Sequence, residues 1–351
     1  MSCEPNNRYV RNNWYAIAWS NEVGDGLCER RIMGEPVVLY RTSEGSPAAL
    51  EDRCPHRFLP LSMGRRKGDG IECGYHGMTF GPTGRCTRIP GQSTIPDTAR
   101  VRSYPVRDHM GLVWIWPGAP ERADPSLLFK LPQYDDPQWE PVHGEALHVR
   151  ANYLALAENL CDPAHVAFVH QSTLGNKAHE DVPIEVAIDG NRVTTTRWTI
   201  DAEPIPLFKK FGLFDGNIDR WQIYIFDAPS TSVIDFGGAA TGTGAPQGKR
   251  DDCVWMFACH FLTPVDHDRS VDHWLVVKNY KAGDPQENER LKDQLRMAFA
   301  EDKAILEAIQ SEEERLPGTR PLRIAVDKGA VMMHRIVERL ADAESAVIAN
   351  G

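Results

Sequence analysis

The sequence predicts an α+β protein of two domains: an N-terminal all-β domain, then a larger domain that mixes strands with long helices. Three observations predict it. At 351 residues the chain exceeds what one hydrophobic core usually supports. Its first 116 residues carry short strand-like runs broken by turn residues, and its last hundred carry two long helical patterns. Between these textures lies Trp116-Pro-Gly-Ala-Pro-Glu-Arg-Ala-Asp-Pro125, a linker by composition. The domains are placed at residues 1–128 and 129–351.

Taken in order, Glu35–Tyr40, Ala48–Asp52 and Gly111–Trp116 read as strands, with Gly81-Pro-Thr-Gly84 as a turn. Tyr153–His170 is helical in pattern but interrupted by Pro163. Arg192–Thr199 and Trp274–Lys278 read as further strands. Gly237–Ala245 lacks the lysine and helix start of a phosphate loop and reads as a flexible loop. Pro285–Arg315 and Asp327–Ala346 read as helices.

A net charge of −10 argues against a nucleic-acid partner. No apolar run reaches the 18 or so residues that a membrane span needs, and the N-terminal residues show no apolar stretch of signal-peptide length. Cys3, Cys28, Cys86, Cys161, Cys253 and Cys259 follow no disulfide framework, so free thiols in a reducing, cytoplasmic compartment are expected.

Two short motifs carry the chemistry of the first domain. Cys54-Pro-His56 and Cys73-Gly-Tyr-His76 stand sixteen residues apart, each offering one thiolate and one imidazole. Two cysteines and two histidines suit one zinc ion, but zinc fingers pair like ligands in each knuckle. One thiolate and one imidazole per loop suit a [2Fe–2S] cluster whose two irons take the two thiolates and the two imidazoles respectively, the Rieske pattern.

The second domain offers Asn159, Asp162, His165 and His170. Two imidazoles and a carboxylate on one face suit a mononuclear iron with open positions. Five residues apart, His165 and His170 stand about 140° apart on an ideal helix, so they converge only if the helix is broken there. Asp162, three before His165, shares its face on such a helix. Leu291, Leu295, Ala298, Ile305 and Ile309 mark an apolar stripe on the late helix, and Asp302 is the position that continues it. A carboxylate on a buried face wants a partner or a metal. Glu301 and Asp293 fall off the stripe and read as solvated.

These motifs, together with Arg11-Asn-Asn-Trp-Tyr15 and Glu301-Asp302-Lys303, resemble the oxygenase components of Rieske non-haem iron oxygenases along nearly the whole chain. Within that family the chain resembles the shorter vanillate O-demethylase, toluenesulfonate methyl-monooxygenase and dicamba O-demethylase type. The resemblance implies a Rieske [2Fe–2S] domain followed by a helix-grip catalytic domain, an antiparallel sheet with helices, assembled as a head-to-tail homotrimer. It implies that Cys54, His56, Cys73 and His76 hold the cluster and that His165, His170 and Asp302 hold iron(II). Asn159 and Asp162 become catalytic positions, with Asp162 bridging His76 of one subunit to His165 of the next. His260, Asp235 and Gln294 align with substrate-facing positions.

The activity implied is a monooxygenase that uses O2 to hydroxylate or O-demethylate an aromatic carboxylate or sulfonate. No nucleotide fingerprint G-x-G-x-x-G follows a strand, so NAD(P)H acts only through a separate reductase or ferredoxin. A pure Rieske electron-transfer protein and a ring cis-dihydroxylating dioxygenase are the alternatives.

Overall fold

The computed structural model describes residues 9–349. Cys3 lies outside them. Tyr9–Leu128 with Thr263–His267 form one compact unit, and Phe129–Leu262 with Asp268–Ala346 form another.

The first unit is all β. Its strands are β1 (Tyr15–Trp19), β2 (Cys28–Ile32), β3 (Glu35–Arg41), β4 (Pro47–Glu51), β5 (Arg65–Lys67), β6 (Gly70–Glu72), β7 (Thr79–Phe80), β8 (Cys86–Arg88), β9 (Ser103–Tyr104), β10 (Val106–His109) and β11 (Leu112–Ile115). They make three small sheets, ordered β1-β11-β10, β2-β3-β4-β9 and β5-β6-β7-β8. The continuous apolar run of β3 has a simple cause. Val37 and Leu39 enter one core with Tyr15, Ile17 and Ile115, while Val38 and Tyr40 enter another with Leu50, Ile71 and Phe80. Successive side chains point to opposite faces of a strand, and here both faces are covered. The second core also takes in Cys54 and Cys73.

The second unit comprises β12 (Glu140–Val149), α1 (Tyr153–Asn159), α2 (Val166–Val169), β13 (Glu185–Asp189), β14 (Arg192–Ala202), α3 (Pro206–Lys210), β15 (Ile218–Asp227), β16 (Thr231–Ala240), β17 (Val254–Pro264), β18 (Ser270–Lys278), α4 (Pro285–Arg315) and α5 (Lys328–Ala349). One seven-stranded sheet runs β12-β18-β17-β16-β15-β14-β13. Helix α4 lies on one of its faces. Leu291, Leu295, Ala298 and Phe299 pack against Phe236, Met256, Ala258, Trp274 and Val276. The start of α4 is fixed by Asp284, whose carboxylate accepts the amides of Gln286 and Glu287, and by Pro285 in the first turn. Among the described residues no helix is long and apolar enough to cross a membrane, and the cysteines are free thiols.

Two expectations need correction here. The stripe on α4 does not run through Ile305 and Ile309, which are 40% and 46% exposed; it continues from Asp302 to Leu306, which is buried. A 3.6-residue repeat allows either step, and the neighbour on the sheet side decides. The glycine run is also not all loop, because Gly237–Ala240 completes β16. Its glycines are spacers: a β-carbon on Gly237 would stand 2.3 Å from the Trp221 ring and 2.3 Å from the Val254 carbonyl oxygen.

Gly237→Ala is therefore expected to cost about 1–3 kcal/mol by overpacking, read as a lowered thermal unfolding midpoint. Gly216→Ala, at an exposed site with nothing within 4 Å of the new methyl, is the control and is expected to leave the midpoint within a degree or so.

Candidate functional site

The two loops of the first unit share one backbone design. In the first, the Cys54 amide donates to the Leu59 carbonyl and the Phe58 amide to the Cys54 carbonyl (2.9 and 2.8 Å). In the second, the Cys73 amide donates to Met78 and the Gly77 amide to Cys73 (2.8 and 3.1 Å). Both loops place a left-handed residue at the same point, Phe58 with φ 61° and Gly77 with φ 72°. Side chains thus leave both loops in matching directions. Cys54 and Cys73 are buried, while His56 and His76 are exposed with ring centroids 4.5 Å apart. Burial pushes the Cys54 thiol up, and the adjacent Cys73 adds to the effect. Two neighbouring thiols ionise together only against metal charge. A thiol pair inside and an imidazole pair outside fit a two-iron cluster with sulfur ligands on one iron and nitrogen on the other.

In the second unit, α1 ends at Asn159 and α2 begins at Val166. Pro163 lacks an amide and disfavours helix at Asp162, so six residues turn irregularly between them. Asp162 therefore lies in this turn and not on a helical face beside His165; its Oδ1 accepts the Ala164 amide at 2.7 Å. His165 and His170 flank the single turn of α2 as its two caps, and their rings approach to 5.3 Å between centroids. The break removes the 140° separation of a continuous helix.

Asp302 meets them from α4. Its Oδ1 lies 3.5 Å from His165 Nε2 and 3.2 Å from His170 Nε2, and it accepts a 3.0 Å hydrogen bond from the Asn159 amide. One donor atom from each of His165, His170 and Asp302 falls within 4.8 Å of the others. Behind each imidazole stands a second carboxylate. Asp162 Oδ2 is 3.6 Å from His165 Nδ1, and Glu301 Oε2 is 2.8 Å from His170 Nδ1. Burial opposes ionisation of Asp302, but His170, His165 and Asn159 outweigh it and hold the carboxyl below its ordinary range. Burial likewise opposes protonation of His170, yet Asp302 and Glu301 raise its pKa. Two imidazole Nε2 atoms and a carboxylate converging on one point, with Nδ1 of each ring turned to a carboxylate, form a donor set suited to iron(II).

Glu301 was expected in solvent and is instead engaged here, where it also accepts from Thr173 and Ser172 (3.2 and 3.4 Å). The signal that finds it is the unmet Nδ1 of His170. Asp293 is solvated and pairs with Arg296.

The three residues aligned with a substrate pocket separate. His260 is fully buried on the sheet face covered by α4; its Nδ1 meets Asp272 at 2.7 Å and its ring meets Phe299 at 5.0 Å. Its Nε2 is buried with no hydrogen-bond partner. Gln294 is buried on α4, two turns before Asp302, with its amide 3.8 Å from Met297 Sδ. Asp235 is not brought to these residues. It lies on the other face of β16, where it accepts from the indoles of Trp221 and Trp255, each at 2.7 Å. Arg250 covers it there, stacked over Trp198, Trp221 and Trp255.

Comparison with known proteins accounts for both halves of this arrangement. Residues 13–105 match the Rieske [2Fe-2S] domain and residues 149–343 the vanillate O-demethylase oxygenase C-terminal domain. The toluene-4-sulfonate monooxygenase system iron–sulfur subunit of Comamonas testosteroni is 36% identical, over 96% of this chain and 98% of that one. The vanillate O-demethylase oxygenase subunit of Pseudomonas sp. (strain HR199 / DSM 7063) is 32% identical over 96% of each. Dicamba monooxygenase bound to 3,6-dichlorosalicylic acid superposes with a TM-score of 0.90 at 30% identity, covering 97% of this chain and 99% of that one; the form with non-heme iron and dicamba gives 0.83. The chain belongs to the Rieske non-haem iron oxygenases of the vanillate O-demethylase type, the iron–sulfur oxygenase components of monooxygenase systems.

Proposed function

We propose that this chain is the terminal oxygenase that hydroxylates or O-demethylates an aromatic carboxylate or sulfonate. The observation that carries the reading is the convergence of His165, His170 and Asp302, each imidazole backed by its own carboxylate. Relatives named for toluene-4-sulfonate, vanillate and dicamba support the substrate class. A pure electron carrier has no task for three donors aimed at one point, two of them buried.

Cys54, His56, Cys73 and His76 would hold the cluster, and His165, His170 and Asp302 the iron. Bound there, the two centres supply electrons and dioxygen activation. The chain's own residues prepare that chemistry. Glu301 fixes the proton of His170 at Nδ1, and Asp162 faces Nδ1 of His165 at 3.6 Å, so that Nε2 of each ring is turned to the site. Asn159 sets the rotation of the Asp302 carboxylate. One oxygen atom enters a substrate C–H bond and the other leaves as water, with two electrons drawn from NAD(P)H by a separate reductase or ferredoxin. A hydroxylated methyl ether is a hemiacetal and collapses to formaldehyde and a phenol.

The assembly we propose is a cytoplasmic head-to-tail homotrimer in which Asp162 links His165 to His76 of a neighbouring subunit. Two exposed apolar groupings support it. Phe58 and Tyr75 lie in the cluster loops, 70% and 62% exposed, and Phe168 and Ile324 line the cavity beside His165, 62% and 59% exposed. Free cysteines support a reducing compartment.

With a surrogate reductase, oxygen uptake is expected on at least one arylsulfonate or methoxybenzoate, with formaldehyde released from methyl ethers. No uptake on any aromatic acid, by protein carrying both metals, would overturn the substrate class. Asp302→Ala is expected to lose the mononuclear iron by metal analysis while the reduced cluster keeps its rhombic EPR signal. Glu301→Ala is expected to weaken iron binding by roughly 10–100-fold. Asp162→Asn keeps its shape but weakens bonds worth about 1.5–3 kcal/mol each. Both metals are expected to stay, while electron transfer to the iron falls by orders of magnitude. Mixed assemblies of Cys73→Ser and His165→Ala subunits, each inactive alone, are expected to recover partial turnover; inactive mixed trimers of verified mass would exclude transfer between subunits.

A further inference from the structure

The segment that carries the cluster loops runs against the charge of the whole chain. From Cys54 to Arg88 stand six basic residues, Arg57, Arg65, Arg66, Lys67, Arg85 and Arg88, against two acidic ones, Asp69 and Glu72. The chain as a whole has the opposite balance, 39 basic residues to 49 acidic.

Strand register gathers part of that surplus in one place. Arg65 stands opposite Glu72, Glu72 opposite Thr79 and Thr79 opposite Arg88. The four form one row across the sheet β5-β6-β7-β8, and Lys67, two residues beyond Arg65, shares their face. The other face is inward: Ile71 and Phe80 enter the core, and Arg66 stacks on the Tyr40 ring at 4.8 Å. On the outer face Arg65, Lys67 and Arg88 all turn to the Glu72 carboxylate, Lys67 Nζ at 2.5 Å and Arg88 Nη1 at 3.7 Å. Their side chains are 71%, 51% and 52% exposed, and that of Glu72 only 5%. One carboxylate thus meets three cations and leaves two positive charges facing solvent.

This row begins where a cluster loop begins. Glu72 precedes Cys73, and Gly74 after it is exposed, so the surface lies one residue from a buried thiol. A β-carbon on Gly74 would stand 2.9 Å from the Met63 carbonyl oxygen, and one on Gly77 would stand 3.9 Å from Arg88 Nη1. The patch therefore touches the second loop at both of its glycines. Met63, 67% exposed, adds an apolar group at its edge.

An electron carrier must reach the cluster from outside the molecule. The imidazole end is committed, in the assembly proposed above, to Asp162 of a neighbouring subunit, and the sheet face beside Cys73 offers the other approach. A chain of net charge −10 repels an acidic protein at a distance. A local positive patch reverses this only within a Debye length, about 10 Å, so it marks a docking place and is not a general attractant.

We propose that Arg65, Lys67 and Arg88 around Glu72, with Met63 at the edge, form the docking site for the separate electron donor, an iron–sulfur protein with an acidic patch beside its own cluster. This rests on the oxygenase reading above for the existence of a donor. One electron passes from the donor's reduced centre to the [2Fe–2S] centre that Cys54, His56, Cys73 and His76 would hold. The donor is oxidised, and no bond forms or breaks. Electrons enter on the thiolate side and leave on the imidazole side.

The test follows reduction of the cluster by its visible absorbance, with no turnover read. The probe is a reduced plant-type [2Fe–2S] ferredoxin of acidic surface, whose potential lies below the Rieske range. Reduced methyl viologen, a small cation, is the control reductant. The rate constant with ferredoxin is expected to fall as salt is raised. Arg65→Gln with Lys67→Gln removes the surplus charge and is expected to slow ferredoxin at low salt by about tenfold or more, with a flatter salt dependence. Methyl viologen is expected to reduce both proteins alike, and calorimetric titration of oxidised ferredoxin into oxidised protein to show the matching loss of affinity. Lys67→Gln with Glu72→Gln keeps the surplus of two and is expected to keep the wild-type rate. Arg31→Gln with Arg107→Gln, an equal charge loss at exposed positions of β2 and β10, is expected to stay within about twofold of wild type. Should a patch double variant not fold, Arg88→Gln decides, and it is expected to slow ferredoxin severalfold.

A patch variant that ferredoxin reduces as fast as wild type overturns the proposal. Equal slowing of both reductants overturns it too, since the charges would then act on the potential of the cluster. Slowing that comes with a changed native mass of the assembly would assign the patch to a neighbouring subunit instead. Patch-dependent reduction by ferredoxin in a protein that oxygenates nothing would sink the oxygenase reading and leave the docking site standing.

Discussion

The rest of the catalytic domain is arranged around one costly placement, the Asp302 carboxylate on the buried face of α4. An ionised carboxylate taken out of water needs a partner, since its unpaired burial costs several kcal/mol even after relaxation. The fold answers with two imidazoles and a carboxamide, all directed at that group. To bring both imidazoles there, the chain must stop being helical between α1 and α2. Asp162-Pro163 makes that break cheap, because a proline has no amide to leave unbonded. The irregular turn is therefore a requirement of the buried carboxylate and not a flaw in a helix.

Holding the carboxylate in place then falls to the long helix. A 31-residue helix is far more than the site needs, but a carboxylate that drifts by an ångström loses its place between the two imidazoles. Leu291, Leu295, Ala298 and Phe299 bind α4 to the sheet upstream of Asp302, and Leu306 is buried one turn beyond it. The iron–sulfur loops achieve comparable rigidity without a helix. Each is closed by the same pair of backbone hydrogen bonds around a left-handed residue, so thiols enter the core while imidazoles stay at the surface.

Legibility in the sequence followed from how much physical alternative each residue had. Cys54, His56, Cys73 and His76 sit in two short loops, so their spacing alone brings four candidate ligands to notice. The α4 boundaries were readable because Asp284 and Pro285 are strong local start signals. Ile305 and Ile309 misled because an apolar residue at helical spacing costs little when left exposed. Glu301 was unreadable for a different reason: its role exists only because His170, 131 residues away, turns its Nδ1 toward it. The Gly237–Ala240 strand was hidden because glycines that make room for Trp221 look like glycines that make a loop.

The face of a strand is the hardest thing to read when both faces are covered. Strand β15 is buried at Ile218 through Gln222 without interruption, so hydrophobic alternation carries no information about which side chains meet α4. Register supplies it instead. It puts Arg220, Gln222 and Tyr224 on the helix side, and sends Asp235 outward to Trp221, Trp255 and Arg250. The consequence is a division of polar labour that composition conceals. A chain with net charge −10 repels an anion at long range, but solvent and salt screen that repulsion within about a nanometre. Arg197 and Arg220, by contrast, are buried on the helix side of β14 and β15, where solvent screens charge far less. Which charges of this chain are buried on the face toward α4 is thus decided by strand parity and not by its overall charge.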